Sequence, residues 1–143
     1  MTREEALELS ILLCGVGHIV LSLASTAIPT LLNWKKELNV LQPLIKQMFW
    51  TYAAYILVIN FCFGLVSILG TAELLNKSFL AKSVTIFIGL YWFARVIIQF
   101  FYFDKTHAPK GLIFTLGEIG LVALFVVFTV VYLAAFLYNL SWI

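Results

Sequence analysis

Four long apolar runs, Leu9 to Leu32, Phe49 to Leu69, Phe79 to Phe103 and Leu112 to Leu137, constrain this chain more than any other feature. Each exceeds the roughly 20 residues a helix needs to cross a hydrocarbon core of about 30 Å. Backbone polar groups in lipid must be satisfied within the spanning structure, so only helices or closed barrels qualify. The runs lack the two-residue alternation of a barrel, whose strands need only about 9–11 residues. The fold class expected is therefore all-α: an integral membrane four-helix bundle, with residues 1–143 forming one transmembrane domain. Short connections make sequential helices antiparallel neighbours in an up-down arrangement.

Between the first two runs, Trp34, Leu38, Leu41, Ile45 and Met48 recur at helical spacing beside Lys35, Lys36 and Lys46. That pattern predicts a short interfacial helix over 34–47, interrupted near Pro43, with a packed linker as the alternative. The acidic segment before the first run and the absence of a small-residue cleavage pattern read as a retained first span rather than a signal peptide. Loop Lys and Arg set topology: Arg3, Lys77 and Lys82 on the terminal side stand against Lys35, Lys36, Lys46, Lys105 and Lys110 opposite. Three against five places both termini on the non-cytoplasmic side. Trp34, Trp50 and Trp142 fall at predicted helix ends, as interfacial anchors should, whereas Tyr91 and Trp92 do not.

Composition excludes several functions. At 63% hydrophobic and 11% charged residues, the chain is far from an ordinary soluble domain, about a quarter of which is charged. Cys14 and Cys62 lie inside apolar runs, away from any CxxC pairing, so neither a disulfide framework nor a zinc motif is expected. A net charge of +2 without a clustered basic stripe argues against nucleic acid as a partner. No metal site is expected, because HxxxH and ExxH are missing. Gly15-Val16-Gly17 is a bare GxG without a phosphate-loop context, and no Ser or Cys nucleophile has His and acid at a recognisable spacing.

Strongly polar groups inside spans normally face protein and are functional candidates. Five are present: His18, Asn60, Arg95, Gln99 and Glu118. At 100° per residue, Tyr91, Arg95, Gln99 and Tyr102 share a sector of the third helix about 80° wide. Thr115, Glu118, Phe125, Thr129 and Tyr132 share a face of the fourth. Arg95 lies roughly 12 Å from the end of its run and Glu118 roughly 9 Å into the next, so the two are nearly level and an Arg95–Glu118 ion pair is expected. Gln99 is placed to bond Glu118 or to extend the network toward Asp104 and His107. His18, Asn60 and Tyr91 form a second layer near midplane, and the two layers together are expected to line a cavity open on the side opposite the termini.

Each candidate also has a purely structural reading. An Arg–Glu pair can fix helix register, Asn60 beside Gly64 and Ser67 can join helices, and His18 can be a satisfied core histidine. Tyr91 and Trp92 can be ordinary packing. Intrachain bis-His haem is disfavoured, since His107 lies far from His18 along the membrane normal; the cofactor is left open. Three function classes remain. The leading one is an intramembrane polar pocket that binds or acts on an amphipathic or isoprenoid-like molecule. Arg95 would contact an anionic or carbonyl group, Gln99, Tyr91 and Asn60 would contribute to binding, and Glu118 and His18 would be the acid–base candidates. The second is a small proton-coupled transporter working as a dimer through Glu118. The third is a scaffold or assembly subunit of a larger membrane complex. Membrane lipids, a lipophilic ligand, a second copy or a larger complex are the partners these classes require.

Overall fold

The computed structural model describes residues 1–106 and 108–143; His107, which the sequence placed at the edge of the polar network, lies outside the described residues. Four helices are long and apolar enough to cross a membrane, making the chain an integral multi-pass membrane protein. They are α1 (Arg3–Ser25), α4 (Pro43–Leu69), α5 (Phe79–Phe101) and α6 (Leu112–Asn139), with short α2 (Ile28–Leu31) and α3 (Trp34–Leu38) between the first two. A 3₁₀ turn, Glu73–Leu75, follows α4. No strand occurs among the described residues.

The helix boundaries correct the sequence reading at two prolines. The first run does not continue to Leu32: α1 begins earlier, at Arg3, on a reciprocal cap between Thr2 and Glu5, and stops at Ser25. A proline ring clashes with the carbonyl four residues before it, which for Pro29 is that of Ser25, so Pro29 opens the separate α2 instead. The expected 34–47 helix is likewise split. Asn33 turns the chain with a φ of 52°, α3 ends at Leu38, and Pro43 starts α4 rather than interrupting a helix. Proline suits the first helical turn because the N–H it lacks would be unbonded there. Trp34 anchors this region edge-on to Phe49 and Trp50, at ring separations of 4.9 and 5.7 Å.

Helix α1 packs against α4 and α6, and α6 packs against α5. All successive spans run antiparallel, as short connections require. Helices α4 and α5 meet through aromatic side chains, Phe63 lying edge-on to Phe87 and Tyr91. The closest helix approach is at Gly15 and Gly64 on α1 and α4. A Cβ on Gly15 would lie 3.1 Å from the Gly64 carbonyl oxygen, and one on Gly64 would lie 3.0 Å from the Gly15 oxygen. Small residues at such contacts are how helices gain packing energy in lipid, where no hydrophobic drive brings them together.

Burial is lopsided along the membrane normal. Buried residues run from Ile11 to Ser22 on α1, from Asn60 to Ser67 on α4, and from Phe125 to Asn139 on α6; on α5 they run from Ala81 to Trp92, with Gln99 alone beyond. None of residues 43–59 or 112–124 is buried. The bundle is thus closed on the side of the termini and splays on the side of the 102–111 connection.

Asn139 locks the closed end. Fully buried, its Nδ2 donates to the Leu74 carbonyl at 2.7 Å and its Oδ1 accepts from the Lys77 N–H at 3.0 Å. Asn139→Ala leaves both backbone groups unpaired and is expected to destabilise the fold by about 1–3 kcal/mol. Unfolding in detergent would check this, and Asn139→Asp, whose carboxylate turns an acceptor and a buried charge toward the Leu74 carbonyl, should lose at least as much.

Candidate functional site

The candidate residues separate into two clusters at different depths. In the closed half, His18 is fully buried among Phe63, Trp92, Phe128 and Tyr132. Its ring stacks on Phe128 at 3.9 Å with a 10° interplanar angle. Its Nδ1 bonds the Cys14 carbonyl at 2.7 Å, and its Nε2 receives the Trp92 indole N–H at 2.8 Å. An indole N–H only donates and a carbonyl only accepts, so the bonds select the neutral imidazole carrying its proton on Nδ1. Both nitrogens are committed to the fold. Below this ring, Ser67 and Tyr132 share a hydroxyl–hydroxyl bond of 2.5 Å that ties α4 to α6.

Asn60 and Tyr91 do not join a polar layer with His18. Tyr91 packs edge-on against Phe63 and Trp92, at 5.2 and 5.1 Å. Asn60 is buried with its Oδ1 unpartnered among the described residues, as is the Ser22 Oγ on α1. The α1–α4 register set by Gly15 and Gly64 puts Ser22 and Asn60 at similar depth.

The second cluster sits at the splayed end. Arg95 Nη1 donates to Gln99 Oε1 at 3.1 Å, and Gln99 Nε2 donates to Glu118 Oε1 at 3.3 Å. The expected Arg95–Glu118 ion pair is not formed. Glu118 pairs with Lys105 of the following connection instead, and Gln99 stands between the two charges that were expected to meet. Lys105 wins because it approaches the half-exposed carboxylate from the surface, whereas Arg95 lies about one turn deeper than Gln99. The guanidinium is held between aromatic rings, 4.9 Å from the Phe103 centroid and 5.1 Å from that of Phe125. Such faces attract a cation through the ring quadrupole. Asp104 stays out of the network: it accepts the Thr106 N–H at 2.9 Å and the Thr106 hydroxyl, bonds that hold its carboxyl below the usual carboxylate range.

No protein family matches the chain. Comparison with curated proteins and with solved structures finds no match either. The reading of the site rests on its residues.

A cavity lined by both clusters and open on the side opposite the termini was expected; within each cluster the polar groups bond one another directly. Two apolar grooves of about 180 and 190 Å³ lie between α1 and α4 and between α1 and α6, and neither is lined by Arg95, Gln99, Glu118, Tyr91, Asn60 or His18. No group of three metal-ligating side chains is assembled among the described residues. Sequence reasoning missed Trp92 and Lys105 as partners. Trp92 carried a readable signal: α1 and α5 run parallel, and His18 and Trp92 each lie about 20 Å along their helices, level with one another. Lys105 carried none, because how far a connection folds back over a helix start is a tertiary property.

Proposed function

We propose that this integral membrane protein binds an amphipathic molecule at its splayed end, with Arg95 contacting the anionic or carbonyl headgroup. One observation carries the reading. Arg95 makes a single hydrogen bond, to a neutral amide, and has no carboxylate partner among the described residues, while Glu118 is occupied by Lys105. An arginine within a span is expensive and is ordinarily paired or faces a ligand path. Among the described residues one of its five N–H donors is engaged, which leaves donors for a ligand. The flanking rings of Phe103 and Phe125 hold its plane, and the unburied faces of 43–59 and 112–124 leave lateral room for a lipophilic chain. Binding is thus lateral, at a half-open bundle, rather than in an enclosed pocket. Glu118 and Gln99 orient the arginine, and His18 belongs to the scaffold behind them.

Mass spectrometry of organic extracts from gently purified protein tests this. Wild type is expected to carry about one lipophilic molecule per chain, and Arg95→Gln to lose it while remaining monodisperse. Arg95→Lys keeps the charge but not the planar fork, so it should retain a part. Lipid of the same amount and composition in wild type and Arg95→Gln would turn the reading toward a scaffold or a transporter.

A further inference from the structure

The cluster at the splayed end also fixes the charge of its occupant. Resting on the reading above, we propose that the occupant is a phospholipid of the surrounding bilayer whose headgroup is a phosphodiester with a single net negative charge. Lys105 and Glu118 neutralise one another, and Gln99 is neutral, so the connected group keeps one uncompensated positive charge, that of Arg95. A phosphodiester monoanion cancels that charge. A diphosphate or phosphomonoester leaves negative charge unmatched beside Glu118, and a zwitterionic headgroup brings its own cation against the arginine.

Geometry favours phosphate in the same way. Guanidinium presents parallel N–H bonds that match two oxygens of a phosphate, and among the described residues only Nη1 is engaged. Arg95 lies about 9 Å from the end of α5, below the headgroup level. Its guanidinium nevertheless contacts Gln99 and Phe103, both nearer that end, so it reaches toward the surface where lipid phosphates sit. The splay of α4 away from the α5–α6 hairpin leaves the acyl chains an open flank.

The wider charge distribution supports the same occupant. The side bearing residues 33–48 and 95–118 carries six basic and three acidic side chains, a net of +3, whereas the terminal side carries three basic and four acidic, a net of −1. Juxtamembrane lysines attract anionic lipid near the surface. The leaflet on the splayed side is therefore enriched in the lipids that Arg95 selects.

Native mass spectrometry of the full chain, offered equal amounts of phosphatidylglycerol, phosphatidylcholine, phosphatidate and palmitate at about pH 8, tests the charge rule. Wild type should retain phosphatidylglycerol about tenfold over the others, a difference of roughly 1.4 kcal/mol. Arg95→Gln should lose that preference. Glu118→Gln frees Lys105 and adds one positive charge, so its preference should move toward phosphatidate, which approaches two negative charges at this pH. A wild type preferring palmitate, a monoanion without phosphate, would overturn the phosphodiester assignment; one preferring phosphatidylcholine or phosphatidate, or a Glu118→Gln variant with an unchanged preference, would overturn the charge rule; each leaves an amphipathic ligand at Arg95 standing. Retention of none of the four, or retention indifferent to Arg95→Gln, overturns both. Should Arg95→Gln not fold, Arg95→Lys and Glu118→Gln carry the comparison.

Discussion

His18→Ala is expected to destabilise the bundle by about 3–5 kcal/mol, as large aromatic truncations in a core do. Three losses coincide at this residue. The stack on Phe128 disappears, the ring leaves a void among Phe63, Trp92 and Tyr132, and the buried Trp92 N–H loses its His18 acceptor. An orphaned buried donor costs about 1–3 kcal/mol on its own. Trp92→Phe removes the donor and keeps the packing, so it should lose about 1–3 kcal/mol. The two changes share one bond, and their double variant should be less unstable than the sum of the singles, by roughly 1–2 kcal/mol. Unfolding in detergent measures all three. Strict additivity would show that the His18–Trp92 bond contributes nothing. A His18→Ala protein of wild-type stability that had lost a bound molecule would return the residue to the list of ligand contacts.

The second large effect is expected at the α1–α4 contact. Gly15→Val or Gly64→Val places branched carbons where even a Cβ meets the opposite backbone carbonyl at 3.1 or 3.0 Å, with Ile68 and Ile19 side chains closer still, at 2.8 and 2.7 Å. A side-chain end can turn away; a backbone carbonyl within a helix cannot. The helices must separate, and the α1–α4 interface with them, at a cost at or above the 1–3 kcal/mol usual for overpacking. Gly117 and Gly120 on α6 supply the control, since a Cβ there meets nothing within 4 Å. Gly117→Ala and Gly120→Ala should be neutral or slightly stabilising, because alanine is the better helix former. Unfolding of the four variants under one condition decides the matter. Unchanged or raised stability at all four positions would mean that helix propensity, rather than close approach, governs these glycines.

The sites of these two effects differ in how far they could be read from the chain. Gly64 was visible as a small residue on the inward face of α4, beside Asn60 and Ser67. Its facing partner Gly15 was visible only as half of an uninformative GxG. His18 was visible as a midspan imidazole, but its role depended on Trp92, which lies 74 residues away and contacts it through a parallel helix. For the Arg95 cluster, depth arithmetic placed Arg95 and Glu118 nearly level, with Gln99 one turn nearer the surface, and anticipated the Gln99–Glu118 bond. It then joined the wrong charges, since equal depth does not say which group approaches from the surface.

By itself the sequence determined the four spans, their antiparallel order and the placement of charge, because the energy of moving backbone and charge into hydrocarbon depends on residue type and run length alone. It also contained the proline rules that end α1 at Ser25 and begin α4 at Pro43, which run length alone places elsewhere. Only the tertiary structure decided which side chains satisfy one another. Lys105 reached Glu118, Gln99 came between Arg95 and the carboxylate, Trp92 closed on His18, and the bundle packed at one end while splaying at the other. Partner choice turns on helix rotation, tilt and the path of a connection. Differences of a few degrees or an ångström, set by contacts such as Gly15 on Gly64, select among pairings that the sequence makes nearly equivalent.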